Sequence, residues 1–296
     1  MLPPIVIFCY NRPEKFRNLV ASIRNLKGLY DREIFVFIDG KKKIDDEKKI
    51  EEVFDIAKTL TSNISLSESN KGLAQSVISG VSEVFKTFDS AIILEDDLIL
   101  HPDFLIFMDA ALERFKNDKR ILSVCGFGLK VEKPKDYSQE IYLARRSSSW
   151  GWATWADRWN EIDWDLKDYD KFISSSTLKR KFNLGGSDMA SMLKGFKEGK
   201  NNSWAIRFCY HQFKNNLYSV HPFKSLVRNE GFGEEASNCR QTYNRFKTDY
   251  LEEGENFGSI TDEELIFNNK IDANLRKYHS IKSRIYSKLR SYLSRI

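Results

Sequence analysis

Paired cysteines are missing from this chain. Its four, Cys9, Cys125, Cys209 and Cys239, lie far apart, without the close spacing of a zinc site or a compact disulfide framework. Reduced, mostly buried thiols are expected. Membrane-length apolar runs are also missing, and the first residues, MLPPIVIFCYNRP, set no basic segment ahead of their short apolar stretch. Neither a signal peptide nor a membrane span is therefore expected there, and a cytosolic protein is. Acids are missing from residues 276 to 296, where Arg276, Lys277, Lys282, Arg284, Lys288, Arg290 and Arg295 stand. Taking these seven cations from the formal charge of +5 leaves the rest of the chain at −2. The basic character belongs to a tail, and no nucleic-acid partner is expected for the body.

What is present is an ordinary globular composition, 41% hydrophobic and 30% charged, in 296 residues that suffice for one large domain with an appendage. Pro4 to Tyr10 is an apolar run rich in Ile and Val, followed by Asn11-Arg12-Pro13 and an amphipathic stretch through Leu26. Pro13 suits the first turn of a helix, where its missing N–H is not needed. Strand, turn, helix then recurs. Glu33 to Ile38 closes on Asp39-Gly40 before a charged helical stretch from Asp45 to Leu60, and a short strand at Ile64 to Leu66 precedes Asn70-Lys71-Gly72 and a helix to about Phe85. Alternation of this kind predicts an α/β fold with a mostly parallel sheet flanked by helices. Ligands of such sheets gather at the carboxyl ends of the strands, where Asn11-Arg12, Asp39-Gly40 and Glu95-Asp96-Asp97 would converge. Beyond Ile121 the pattern is less regular. Strands are expected at Ile121 to Cys125 and Ile141 to Leu143, then the stretch SSSWGWATWADRW, then helices over Asp188 to Glu198 and from Trp204.

The apolar run Ala91 to Leu94 ends in three successive carboxylates, which repel one another unless something positive stands nearby. A hard divalent cation, Mn²⁺ or Mg²⁺, takes oxygen ligands and offsets that repulsion. The plainer alternative is an acidic turn ahead of a helix starting near Pro102-Asp103.

The segments PIVIFCYNRP, VFIDG, SNKGLAQS, AIILEDDLILHPDFL and SSSWGWATWADRW, in that order, resemble glycosyltransferases of the A-type (GT-A, Rossmann-like) fold. The relevant group includes family 2 and the N-acetylglucosaminyltransferase I type. SWAIRF and SLVRNEGFG further resemble bacterial enzymes of surface-polysaccharide synthesis, which extends the likeness to about residue 240. The resemblance implies a donor half over 1–120, an acceptor half over 121–270 and a C-terminal helical extension over 271–296. It implies that Tyr10, Asn11, Arg12 and Asp39 hold the nucleoside and that Lys71 and Gly72 flank it. Glu95 and Asp97 match the acids of the DXD motif, Asp96 lies between them at the donor, and Asp97 is the implied metal ligand. The donor would be a nucleotide sugar, a UDP-sugar first of all, and the acceptor a glycan or lipid-linked oligosaccharide.

An inverting transfer needs a base for the acceptor hydroxyl. Asp188 in GGSDMASML is the candidate, entering the first turn of a helix as the acid does in many A-type enzymes, although helix capping alone also favours Asp there. Glu230 and Glu234 are its rivals. Some relatives carry an aspartate where Ala205 stands and they often carry a histidine where Asn238 stands, so Arg240 is assigned to supply positive charge at the donor. Trp150 and Trp152 are candidate acceptor contacts, since indole faces match the C–H face of a pyranose. The missing glycine-rich entry loop, replaced by NRPEKF, speaks against a sugar nucleotidyltransferase, while Ala205 and Asn238 keep a catalytically degenerate glycan-binding protein as an alternative. Finally, Ile281, Ile285, Leu289, Tyr292, Leu293 and Ile296 recur every three or four residues among cations. This predicts a basic amphipathic helix, with residues 279–296 resting on the inner face of the cytoplasmic membrane or packed on protein.

Overall fold

The computed structural model describes residues 1–231, 246, 248–252 and 254–293. Its first strand, β1 (Ile5–Cys9), is buried along its whole length, as expected of an apolar run covered on both faces. Ile5, Ile7 and Cys9 join one core and Val6 and Phe8 another, because successive strand residues point to opposite faces. Helix α1 (Pro13–Arg24) begins on its proline, and β2 (Ile34–Ile38), α2 (Asp46–Lys58), β3 (Ile64–Leu66), α3 (Leu73–Val84) and β4 (Ser90–Glu95) follow. Next come β5 (Leu98–Leu100), α4 (Phe104–Phe115), β6 (Ile121–Cys125), β7 (Ile141–Ala144) and β8 (Trp152–Trp155).

Five helices then build the wall beside the sheet: α5 (Ala156–Trp159), α6 (Tyr169–Ser174), α7 (Ser176–Phe182), α8 (Met189–Lys197) and α9 (Trp204–Lys214). The start of α9 is set by Ser203, whose hydroxyl accepts the N–H of Ile206. Strands β9 (Tyr218–Pro222), β10 (Lys224–Ser225), β11 (Val227–Asn229) and β12 (Asp249–Tyr250) lead to α10 (Asn269–Tyr278) and α11 (Ile281–Leu293). Asn268 caps α10, accepting from Lys270 and Ile271.

The main sheet has the order β3-β2-β1-β4-β8-β6-β9-β7. Six strands run in parallel, while β8 and β7 run the other way. The mostly parallel α/β sheet flanked by helices is the fold class the sequence predicts, and a helical C-terminal extension is present as well. Strand β8 is the surprise, because the tryptophan-rich segment threads between β4 and β6, pairing Trp152 with both Ile93 and Cys125. All four of its residues are buried, so it carries no polar alternation by which to recognise it.

A separate antiparallel ribbon pairs β5 with β11, setting Asn229 opposite Leu98 just beyond the acidic triplet. Among the described residues, no helix is long and apolar enough to cross a membrane.

Close approach of α3 to the sheet depends on Gly80, where an added Cβ would stand 2.7 Å from the Phe8 ring and 3.2 Å from that of Phe37. Those rings stack 5.4 Å apart and Phe8 is buried, so its ring has little room to move aside. Alanine gains about 1 kcal/mol of helix propensity, but overpacking a closed core costs about 1–3 kcal/mol. Gly80→Ala should therefore lower the urea midpoint at unchanged m-value; a raised midpoint would contradict this packing.

Candidate active site

Glu95 is the last residue of β4, and the chain turns through Asp96 and Asp97 into β5, so three carboxylates leave the sheet together at its carboxyl edge. Asp96 and Asp97 are buried. Arg12, just past the end of β1, lies between them: its Nη1 donates to Asp97 Oδ2 at 2.8 Å, while Nη2 and Nε donate to Asp96. One guanidinium thus faces three acids. Burial, followed by the neighbouring charges of Asp97 and Asp96, pushes the Glu95 carboxyl up to about 8, against an ordinary value of 4.5. Burial likewise lifts Asp96 to about 6 despite the opposing pull of Arg12.

The β11 ribbon closes the cluster from the other side. Asn229 Nδ2 donates to Asp97 Oδ1 at 3.4 Å and the Glu230 N–H to the Asp97 carbonyl at 2.9 Å. Gly231 passes so near that a Cβ there would overlap Asp97 Oδ2.

The residues expected from the sequence at the nucleoside form a second group along the same edge. Asp39 receives the N–H groups of Gly40 and Lys71 on Oδ1 and that of Gly72 on Oδ2, at 2.8 to 3.0 Å. Asn70 Nδ2 donates to the Gly40 carbonyl, so the turn after β2 and the loop before α3 are one unit. Gly40 is required by contact, because its Cβ would meet the Ser69 backbone at 2.5 Å. Tyr10 and Asn11 both donate to Asp46, at 2.6 and 2.7 Å, and the Lys42 and Lys43 N–H groups donate to the same carboxylate. These bonds, the Tyr10 hydroxyl first, bring Asp46 down to about 2. Arg12 lies with the acids rather than with Tyr10 and Asn11.

Beside the acids opens a cavity of about 190 Å³, lined by Ser149, Trp150, Phe127, Arg146, Met192 and His279 among others. Ser149, on its wall, lies close enough to Glu95 to oppose the rise of that carboxyl, so the cavity adjoins the acidic cluster. Trp150 stands on its wall, edge-on to Phe127 at 4.5 Å. Trp152 does not reach it. Fully buried and stacked on Trp204 at 4.9 Å, its ring has no face to offer a sugar, which corrects the expectation of an acceptor contact there.

Asp188 is the residue just before α8, is buried, and pairs with Arg146 at 2.8 Å. Its side chain makes no cap hydrogen bond to the helix, so capping does not account for it. Burial is the largest single influence and would raise its carboxyl, but Arg146 and, after it, His279 together hold it at about 2. Glu230 is half exposed and pairs with Lys15 at 3.6 Å. Glu234, Asn238 and Arg240 lie outside the described residues.

Asp46, Arg146, Ser149 and Asn229 were not anticipated from the sequence. Asp46 had a weak signal as an acid opening a helix, whereas Arg146 and Asn229 meet partners 42 and 132 residues away. Nothing local marks such contacts. As for a metal, among the described residues no three acidic, histidine or cysteine side chains already converge as a ligand set. The hard oxygens of Asp96 and Asp97 nonetheless suit a dication that takes one or two carboxylates and completes its shell with phosphate.

No curated protein matches the chain in sequence. Among solved structures it is similar to a mannosyltransferase from Pyrobaculum calidifontis in complex with GDP-Man and Mn²⁺, at 12% identity over 52% of this chain and 45% of that one, TM-score 0.35. Glucosyl-3-phosphoglycerate synthase from Mycobacterium tuberculosis in complex with Mg²⁺ and UDP gives 15% identity over 52% and 57%, TM-score 0.31. A galactosyltransferase in complex with donor and acceptor sugar analogues gives 12% over 73% and 72%, TM-score 0.38. The chain thus covers about half the length of the first two. The family model described as "Glycosyl transferase family 2" matches residues 5–179, more than half of the chain. With its mostly parallel α/β sheet flanked by helices, the chain belongs to glycosyl transferase family 2 and has the A-type fold.

Proposed function

We propose that this protein transfers a sugar, with inversion, from a nucleotide sugar, a UDP-sugar first of all, to a hydroxyl of a glycan or lipid-linked oligosaccharide. The pathway proposed is bacterial surface-polysaccharide synthesis, with the enzyme on the cytoplasmic face of the membrane. The observation that carries the chemistry is the carboxylate cluster at the end of β4, held by Arg12 and close to Ser149 on the wall of the neighbouring cavity. Asp97 is the proposed ligand of Mn²⁺ or Mg²⁺, with Glu95 and Asp96 beside it. Such a cation, once bound, offsets the charge that grows on the departing diphosphate. Tyr10, Asn11 and the Asp39-braced loop carrying Lys71 and Gly72 shape the nucleoside side, and Arg12 is placed to meet phosphate. Trp150 offers an indole to the acceptor in the cavity.

Asp188 is the proposed base, a buried carboxylate behind Arg146 on the cavity wall. A carboxylate held so acidic accepts a proton poorly, so the proposal requires Arg146 to release it when acceptor binds. Asp188→Asn should lower kcat about 10²-fold or more with little change in donor affinity, whereas Glu230→Gln should leave kcat within about threefold. The reverse ranking would transfer the role to Glu230.

Donor binding and slow donor hydrolysis across a panel of nucleotide sugars with Mn²⁺ test the reaction itself. Asp97→Ala should abolish cation-dependent donor binding; undiminished binding in that variant would remove Asp97 from the site. Cation binding should also depend on pH, through Glu95. Its folded-state carboxyl lies above the ordinary 4.5, so the stability of the cation-free protein falls as pH rises from about 4.5 towards about 8. A dication favours the ionised form and drives the proton off. Titration calorimetry in buffers of differing ionisation enthalpy should therefore show proton release on Mn²⁺ binding below about pH 8, with affinity rising with pH. Absence of proton release would mean that Glu95 does not feel the cation.

A further inference from the structure

Helix α11 is amphipathic, but it is turned the wrong way round for a helix that packs on its own protein. Ile281, Ile285, Leu289 and Tyr292 lie on one face and are 63%, 55%, 58% and 67% exposed. Ser287 and Ser291, on the opposite side, are buried. A helix stabilised by its own core turns its apolar stripe inward. Here the serine side is covered, and the apolar residues stand in the solvent.

The helical period places Lys288 on one flank of that stripe and Lys282 on the other, both exposed. Their long stems can lie along an apolar phase while the ammonium groups remain at its polar boundary. At the corner between α10 and α11 lies an open groove of about 620 Å³, lined by Arg276, Lys277, Ser280, Lys282, Ser283 and Tyr286. Three of these are cations and none is an acid. Arg276 also lines the inner cavity beside the acidic cluster, so the groove and the cavity adjoin.

We infer that the outward face of α11 is a docking surface for an anionic lipid bilayer, with the cationic corner against the lipid phosphates. Charge complementarity selects this occupant: residues 276 to 296 hold seven cations and no acid, a balance that suits a negatively charged leaflet. An apolar stripe flanked by lysines is the form an interfacial helix takes. Docked in this way, the corner turns the groove, which shares Arg276 with the cavity, towards the bilayer. A phosphate-linked lipid acceptor could then reach the cavity from the membrane side. The inference rests on the peripheral location proposed above but on none of the chemistry, since vesicle binding needs neither donor nor cation.

Co-sedimentation of the full chain with phosphatidylcholine vesicles, with and without phosphatidylglycerol, tests it. The protein should pellet with the anionic vesicles and bind the zwitterionic ones about tenfold or more weakly, with binding falling as salt is raised. Ile285→Asp combined with Leu289→Asp should reduce anionic binding by about tenfold or more, and Lys282→Gln combined with Lys288→Gln should flatten its salt dependence. Unchanged circular dichroism and donor binding in both variants would show that fold and donor site are intact, which separates failure here from failure of the catalytic proposal. No pelleting of the wild-type chain, or equal pelleting with both vesicle types, would overturn the inference. So would a dimer seen in sedimentation velocity and lost in the double-aspartate variant while vesicles bind nothing, since the face would then belong to a second copy.

Discussion

Three carboxylates at the end of a buried strand cannot stand together without a positive charge among them, and the rest of this structure is arranged around that constraint. Strand β4 is buried between β1 and β8, so Glu95, Asp96 and Asp97 emerge where little water screens them. In the protein alone, Arg12 supplies the charge, delivered from the neighbouring strand end by the parallel register of β1 and β4. One guanidinium offsets three acids only in part, and the Glu95 carboxyl stays raised, by burial first and then by the charges of Asp97 and Asp96. A site of this kind accepts a dication readily because binding it relieves repulsion already present.

The topology explains why so many distant segments meet there. Parallel strands β1, β2 and β4 bring Arg12, Asp39 and the acidic triplet to one edge. The β5–β11 ribbon adds Asn229 and Glu230 from far along the chain. Strand β8, inserted antiparallel beside β4, starts at this same edge, and the Ser149-Trp150 segment that precedes it lines the cavity next to Glu95. The acidic cluster, the Asp39 turn and the cavity wall therefore share one sheet rather than being joined by a linker.

Much of this was legible in the sequence, and the limits have physical causes. Strands β1, β2 and β4 announce themselves as apolar runs rich in Ile and Val closed by polar turns, and the acids stand out because nothing local compensates them. The segment WATW was not recognisable as a strand, since it has neither the Ile, Val and Leu run of the other buried strands nor a polar alternation, and its burial takes Trp152 out of reach of a sugar. The Arg146–Asp188 pair and the Tyr10–Asp46 bond join residues far apart in sequence, so neither has a local signature. In the tail, periodicity revealed the amphipathic helix but not its orientation, because a period of 3.6 does not say which face meets the body. Glu234 and Arg240 lie outside the described residues, and their roles rest on resemblance alone.

The most direct test of the central claim is anomalous diffraction from crystals grown with Mn²⁺ and a nucleoside diphosphate. The account predicts a manganese peak at coordination distance, about 2.1 Å, from a carboxylate oxygen of Asp97, bridged to the diphosphate, with Arg12 withdrawn from that oxygen. A peak elsewhere, with Arg12 still clasping Asp96 and Asp97 and the nucleotide remote from them, would contradict it.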